Sequence, residues 1–162
     1  MSTTDTVWQV EPRVLKELGW PEILTAIGEQ ARTERGRERA SAMPFLSSQG
    51  EVQRSLRSIE EYRKLKGEEL ELPLGALEDI GPVLSRAEKG GILEGLEVLG
   101  CARVMRGAAE VRQFLVSTAA HAPILAGIAG ALPAGRSLAA RIEDSFEGDG
   151  RLRDDASFEL EV

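Results

Sequence analysis

Cys101 is the only cysteine and His121 the only histidine in 162 residues. One thiol forms no internal disulfide, and a reducing compartment is its natural setting. Zinc needs about four N, S or O ligands, and neither residue has companions at ligand spacing. A serine–histidine–acid set would have to use His121, and no G-x-S-x-G elbow accompanies it. Aromatics make up only 4% of the chain. The core must therefore be aliphatic and alanine-rich, which suits packed helices better than a β-sandwich. The pattern G-x-x-x-x-G-K-[ST] does not occur, which excludes an ATP site of that type. The opening MSTTDTVWQVEP lacks a basic stretch followed by an apolar run, so no signal peptide is expected. Positive charge is also in deficit: 20 Lys+Arg stand against 27 Asp+Glu, a net of −7. Taken whole, that argues against a dedicated nucleic-acid module.

The acids that are present form no convincing cation site. Glu68-Glu69-Glu71, Glu143-Asp144 and Asp154-Asp155 read as solvated charge or helix caps rather than as convergent oxygen ligands. The tract from Gln113 to Gly135 has no Asp, Glu, Lys or Arg. A bilayer-spanning segment is apolar throughout, whereas His121 and Pro123 sit in the middle of this one. It reads as two buried helix ends joined by a turn at Ala120-His121-Ala122-Pro123, with no membrane association.

The apolar periodicity predicts an all-α fold, an irregular helical bundle with one long central helix and little or no β structure. Residues 1–12 read as a loose end and residues 13–162 as one helical core domain, truncated at its C-terminal end. Pro21 opens a helix whose stripe is Leu24, Ile27 and Ala31, with Trp20 and Ile23 beside it. Thr33 is placed to cap or interrupt, and a basic helix runs on to about Ala42. Within it Gly36 implies a close backbone approach. Ser48 with Glu51 reads as a capping box. The next helix points Val52, Leu56, Ile59 and Leu65 inward and Arg54, Arg57, Glu61 and Lys64 outward, and Gly67 closes it. The longest helix is expected from about Leu93 to Thr118, a strut of ~39 Å. Cys101, Val104, Ala108, Val111 and Leu115 form its apolar stripe, which makes Cys101 a buried, inert thiol. Arg103, Arg106, Glu110 and Gln113 share another face. Ile124, Leu125, Ile128 and Leu132 make a short helix, and Leu138, Ile142 and Phe146 the next. Glu147-Gly148-Asp149-Gly150 is a turn, Leu152 lies in an extended piece, and Asp155 caps a helix beginning at Ala156.

The whole is organised around Leu70 to Leu99, LELPLGALEDIGPVLSRAEKGGILEGLEVL. Leu72 and Leu74 alternate like a short extended piece. Ile80, Val83, Leu84 and Ala87 then turn helical, Pro82 fits the first turn, and Gly90-Gly91 fits the C-terminal cap. The run LPLGALEDIGPVLSRAEKGGIL resembles the N-terminal region of the bacterial MutS-like family often called MutS-two. There a segment of the type LPLGG-I-x-D-I-x-P-x-L-x-R-A-x-x-G-G-x-L precedes a long helix. Leu15 to Ile27, Ala31-Arg32-Thr33 with Gly36, and Asp149-Gly150-Arg151-Leu152-Arg153-Asp154-Asp155-Ala156-Ser157 extend the resemblance from about Leu15 to Leu160. The last run is similar to a family pattern D-G-x-V-x-D-x-A-S-x-E-L. Phe158 stands where that pattern often has Pro.

That resemblance implies a parent that is a cytoplasmic homodimeric ATPase. Its N-terminal region begins a helical core, or lever, domain, and an ABC-type ATPase domain and a small Smr endonuclease domain follow. It also implies action on branched DNA, suppression of homologous recombination, and splitting of stalled ribosomes with contact to ribosomal RNA. None of the ATPase or nuclease motifs falls within residues 1–162. No catalytic residue carries over, the fragment is expected not to be an enzyme, and ATP and Mg are expected only in the parent's ATPase domain. The alternative is a stand-alone helical interaction module.

The charge distribution singles out one region. Residues 30–67 hold nine basic and five acidic side chains, a local net of +4. Arg32, Arg35 and Arg39 share one helix face by their spacing of three and four, and Arg54 and Arg57 lie on the next helix, followed by Arg63, Lys64 and Lys66. If this chain touches a phosphate backbone, the first five of these residues are the candidates, and the contact would be salt-dependent with no base readout. Glu34, Glu38, Glu60 and Glu61 dilute the field, and a merely solvated face is the competing reading.

Overall fold

Proline, capping side chains and glycine set the helix ends throughout. The computed structural model describes residues 9–75 and 77–156, and among them it contains eight α-helices, one 3₁₀ helix and no strand. The chain divides into two compact units, Met1–Leu70 and Glu71–Val162.

In the first unit, α1 (Pro12–Glu17) starts on proline, and Gly19, at φ 72°, turns the chain into α2 (Trp20–Glu29). The left-handed conformation there favours glycine. Thr33 ends the break that follows, because its hydroxyl accepts from the Gly36 N–H at 3.0 Å and opens α3 (Glu34–Ser41). A Cβ on Gly36 would stand 2.9 Å from that hydroxyl, so the close approach expected of Gly36 is its own cap. Packing of α3 on α2 places Gly28 against the Arg37 stem and the Ser41 hydroxyl. Trp20 meets Phe45 edge to face at 5.3 Å. Ser48 caps α4 (Gln49–Gly67) by accepting from the Glu51 N–H at 3.2 Å.

The inward faces differ from expectation. On α2, Leu24 and Gly28 are buried while Ile27 is 43% exposed. On α4, Leu65 and Glu61 are buried, whereas Leu56 and Ile59 are 58% and 55% exposed. Leu24 and Leu65 of the expected stripes do lie inward, but on α4 Glu61, expected outward, shares the buried face with Leu65 four residues on, in place of Leu56 and Ile59.

The second unit is built on α6 (Gly95–Ser117), which begins two residues later than the spacing predicts. Glu94 and Glu97 form a reciprocal capping box at its start, with the Glu94 N–H donating to Glu97 at 2.9 Å. Ahead of it, Asp79 accepts from the Gly81 N–H at 2.9 Å and opens α5 (Gly81–Glu88), with Pro82 in the first turn. Gly90 and Gly91 end α5 as expected. The Gly91 N–H bonds to Arg86 O and the Gly90 N–H to Ala87 O, both at 2.9 Å, with Gly90 at φ 77°. That is a Schellman motif. Leu72 and Leu74 are not extended; the Leu74 N–H bonds to Leu72 O in a tight turn. Both pack on Val111, Leu115 and Ala129, the hydrophobic cluster at the far end of α6.

The uncharged tract resolves into the end of α6, a turn, α7 (Pro123–Ala126) and a 3₁₀ helix (Gly127–Ala131). Among the described residues no helix is long and apolar enough to cross a membrane. Then α8 (Arg136–Ser145) returns along α6. Arg136 donates to Gln113 at 2.9 Å, Arg106 pairs with Glu143 at 2.8 Å, and Phe146 approaches Gly95. Numbers rise on one helix as they fall on the other, so the pair is antiparallel. Beyond α8, Phe146 and Leu152 form an antiparallel bridge around a turn with Gly150 at φ 86°. The helix expected from Ala156 lies outside the described residues.

That turn closes onto the start of α6. A Cβ on Gly95 would fall 1.8 Å from the Gly150 carbonyl oxygen and 3.1 Å from the Phe146 ring. Exchange of a helix glycine for alanine normally stabilises by ~0.5–1 kcal/mol. Gly107, inside α6, should follow that rule, since a Cβ there meets only Leu77 Cδ2 at 3.7 Å. G107A is therefore expected to raise stability by about 0.5–1 kcal/mol, and G95A to lower it by about 3 kcal/mol through backbone displacement. Urea denaturation of the two variants beside wild type checks the opposite signs.

Glu97 also receives the Arg86 guanidinium, which ties α5 to α6. The Arg86 side-chain hydrogen bond, then the Glu94 N–H, hold the Glu97 carboxyl below its ordinary value of 4.5. A depressed folded value means the contribution is present above the unfolded carboxyl's pKa and is lost as pH falls through the folded one. E97Q should flatten that part of the acid limb in a pH series of thermal melts. An unchanged acid limb would show that Glu97 is not coupled to folding.

Candidate nucleic-acid interface

Arginine reaches phosphate through a forked, always charged guanidinium, so its partners within the fold decide its availability. Arg35 and Arg39 lie on α3, four residues apart and therefore on one face, and both are exposed. Arg32 is exposed too, but it precedes the Thr33 cap and does not belong to that helical face. Helical spacing presumed a helix continuous through position 32, and the threonine cap interrupts it. Arg54 and Arg57 are exposed on α4. While α3 packs on α2, α4 makes no extended packing contact with α3. The five arginines thus form an α3 pair, an α4 pair and Arg32 in the intervening break, rather than one shared helical surface.

Local acids occupy part of this charge. Arg35 pairs with Glu38 at 3.2 Å and Arg37 with Glu34 at 3.1 Å, all with side chains more than half exposed. Exposed pairs of this spacing contribute only ~0.3–0.5 kcal/mol, so a phosphate can displace them cheaply. Arg39, Arg54 and Arg57 have no ion pair among the described residues. Arg63 and Lys64, of the same basic region, lie further along α4. With Glu60 they line a shallow open cleft of about 340 Å³.

Among the described residues no other site gathers reactive groups. A groove of about 520 Å³ is lined by Gln9, Val10, Glu11, Leu15, Phe45 and Ser47, with Glu11 its only ionisable side chain among the described residues. Among the described residues no three His, Cys, Asp or Glu side chains are placed to hold a metal ion. His121 lies in the exposed turn after α6. Arg103 grips Glu78 at 3.1 Å, and Arg106 grips Glu143, so the basic row of α6 braces its neighbours instead of facing a ligand.

Cys101 is half-buried rather than buried, because the core face of α6 runs through Leu99, Ala102, Ala109, Val111 and Leu115. Partial burial pushes its thiol up, and the Glu97 carboxylate one turn away adds to this. The reactive species is the thiolate. Labelling by a thiol reagent should therefore be slower than for a free cysteine at the same pH and accelerate as pH rises. Labelling as fast as free cysteine at neutral pH would refute the raised pKa.

No family model matches this chain. It is 41% identical over 148 residues, 91% of its length, to endonuclease MutS2 of Anaeromyxobacter sp. (strain Fw109-5). It is also 28% identical over 148 residues to endonuclease MutS2 of Symbiobacterium thermophilum, again over 91% of its length. The Lacticaseibacillus casei (strain BL23) protein of the same name is 29% identical over 153 residues. In each case the matched stretch is only about a fifth of the relative, 18%, 18% and 19% in turn. With nine-tenths of its length aligned to proteins of one name, and with the turn and cap glycines of the resembling motifs performing structural roles, the chain is a homologue of a segment of the endonuclease MutS2 family.

Proposed function

We propose that this chain is a non-catalytic, N-terminal core segment of a MutS2-type protein, serving as a helical support for chemistry carried out elsewhere in a longer parent. The observation that carries the reading is the 41% identity over 91% of the chain to a protein named an endonuclease, of which the match covers 18%. The side chains support it. Ion pairs and caps brace its helices. The parent in this reading is a cytoplasmic homodimer that binds ATP and Mg in a separate domain. It acts on branched DNA to restrain homologous recombination, or on stalled ribosomes through ribosomal RNA.

Within that parent, α3 and α4 offer the phosphate contacts. Arg32, Arg39, Arg54 and Arg57 are the least engaged cations of the candidate set. A second reading, a stand-alone interaction module, draws on the exposed apolar residues of α2 and α4. Sequencing the reading frame beyond Val162 separates the two, because a phosphate loop encoded downstream fits only the first.

The expected activity profile is no ATP hydrolysis, no DNA cleavage, and weak binding to structured nucleic acid. Non-specific binding of this kind has a Kd of about 10⁻⁴ to 10⁻⁶ M and weakens steeply with salt. A titration of labelled branched DNA at low and moderate salt, with wild type beside R35E/R39E and R54E/R57E, tests it. Both reversals should abolish binding if the two helices act together, and one alone if a single helix carries the contact. Equal binding by all three proteins would show that the arginines are only solvated.

A further inference from the structure

One arc of α4 presents an aromatic ring amid cations and excludes acids. Tyr62 is the only tyrosine of the chain, and it is 43% exposed. Among the described residues its hydroxyl makes no hydrogen bond and its ring meets no other ring. At about 100° per residue, Tyr62, Lys66, Ile59, Val52, Arg63 and Leu56 succeed one another around an arc of about 120°. Glu51 and Glu60 fall outside its two edges, so the arc holds no carboxylate. The buried Glu61 and Leu65 lie on the other side of the helix. Lys66 stands one turn beyond Tyr62 and Arg63, at four and three residues, where side chains of a helix are neighbours. Neither Arg63 nor Lys66 has an ion pair among the described residues.

We propose that this arc binds single-stranded DNA, with Tyr62 stacked on an unpaired base and Arg63 and Lys66 on the phosphates beside it. This selectivity rests on the nucleic-acid reading and deepens it by naming what the interface prefers. An aromatic ring flanked by cations suits a single strand, because every base offers a π face whatever its identity. In a duplex those faces are covered by neighbouring base pairs, and the phosphates alone are left for the cations. Arg54 and Arg57, outside the arc, serve either form, whereas Tyr62 gains a partner only from an unpaired one. Deoxyribose is the sugar this surface fits. Ile59, one turn before Tyr62, is 55% exposed. A ribose 2′-hydroxyl laid against it would lose hydrogen bonds that a deoxyribose does not have to lose.

Fluorescence anisotropy with a labelled thymine oligonucleotide of about 16 nucleotides, beside duplex DNA of the same length at low salt, tests the two readings separately. Wild type should bind the single strand more tightly than the duplex. Y62L keeps an apolar side chain but no ring. It should weaken single-strand binding at least about fivefold, the low end for one base stack, and leave duplex binding unchanged. Y62F should bind like wild type. R63E/K66E should weaken single-strand binding and flatten its salt dependence. Circular dichroism should show the helices retained in each variant. Emission of Y62W, over the Trp8 and Trp20 signal of wild type, should be quenched by the single strand and not by the duplex. A uridine RNA of the same length should bind more weakly than the DNA. Tighter binding to duplex, or a Y62L chain that holds the single strand like wild type, overturns the proposal and leaves the nucleic-acid reading standing. Failure of both probes to bind overturns both. RNA bound as tightly as DNA overturns the choice of DNA. Anionic phospholipid vesicles that sediment wild type but not Y62L would give this arc to a lipid surface and overturn the proposal.

Discussion

The second unit depends on a backbone-to-backbone approach that only glycine permits. Gly95 begins α6 with no side chain, and the carbonyl of Gly150 fills the space a Cβ would take. Gly150 itself, at φ 86°, turns the chain so that its own missing Cβ leaves room for the Leu96 N–H. Through this contact the turn after α8 is seated on the start of α6, and the antiparallel α6–α8 pair acquires a fixed register. The Phe146–Leu152 bridge and the Arg106–Glu143 pair are consistent with that register. The same end of α6 carries the Glu94–Glu97 capping box, to which Arg86 attaches α5. Cap, ion pair and glycine contact converge within one helical turn, so α6 is held at its start by geometry and at its far end by the Val111–Leu115–Ala129 cluster.

The first unit is organised differently. Of its large aliphatic residues, Leu24 and Leu65 are buried, while Ile23, Ile27, Leu56 and Ile59 are substantially exposed. Exposed apolar stripes of this kind mark surfaces that meet something else. Its cations are distributed in the same way, with the α3 arginines partly matched by acids within their own helix and the α4 cations largely unmatched. The first unit thus exposes apolar and basic faces, whereas the second is braced by ion pairs and caps. The chain matches about a fifth of the length of its MutS2 relatives.

Much of this architecture was legible as local chemistry. Thr33, Ser48, Pro82 and the Gly90-Gly91 cap were readable because helix ends are decided by the hydrogen bonds of the nearest few residues. Cys101 and Arg32 were misplaced for related reasons. Periodicity places a residue on a stripe but does not set the stripe's orientation, and it runs through a cap that ends the helix. Leu72 and Leu74 looked extended because alternation is the same in a strand and in a tight turn whose two ends both face a core.

The sequence by itself determined where helices start and stop, the all-α class, the absence of a phosphate loop and the family to which the segment is related. These are set by side-chain size, capping oxygens and φ preferences over a few residues. Only the tertiary structure decided that Glu61 rather than Ile59 lies inward on α4, that the arginines of α6 brace neighbouring elements, and that Gly95 and Gly150 touch across 55 residues of chain. A helix has several faces of equal periodicity. Which one is buried, and which distant backbone comes to rest upon it, depends on partners that the local pattern does not contain.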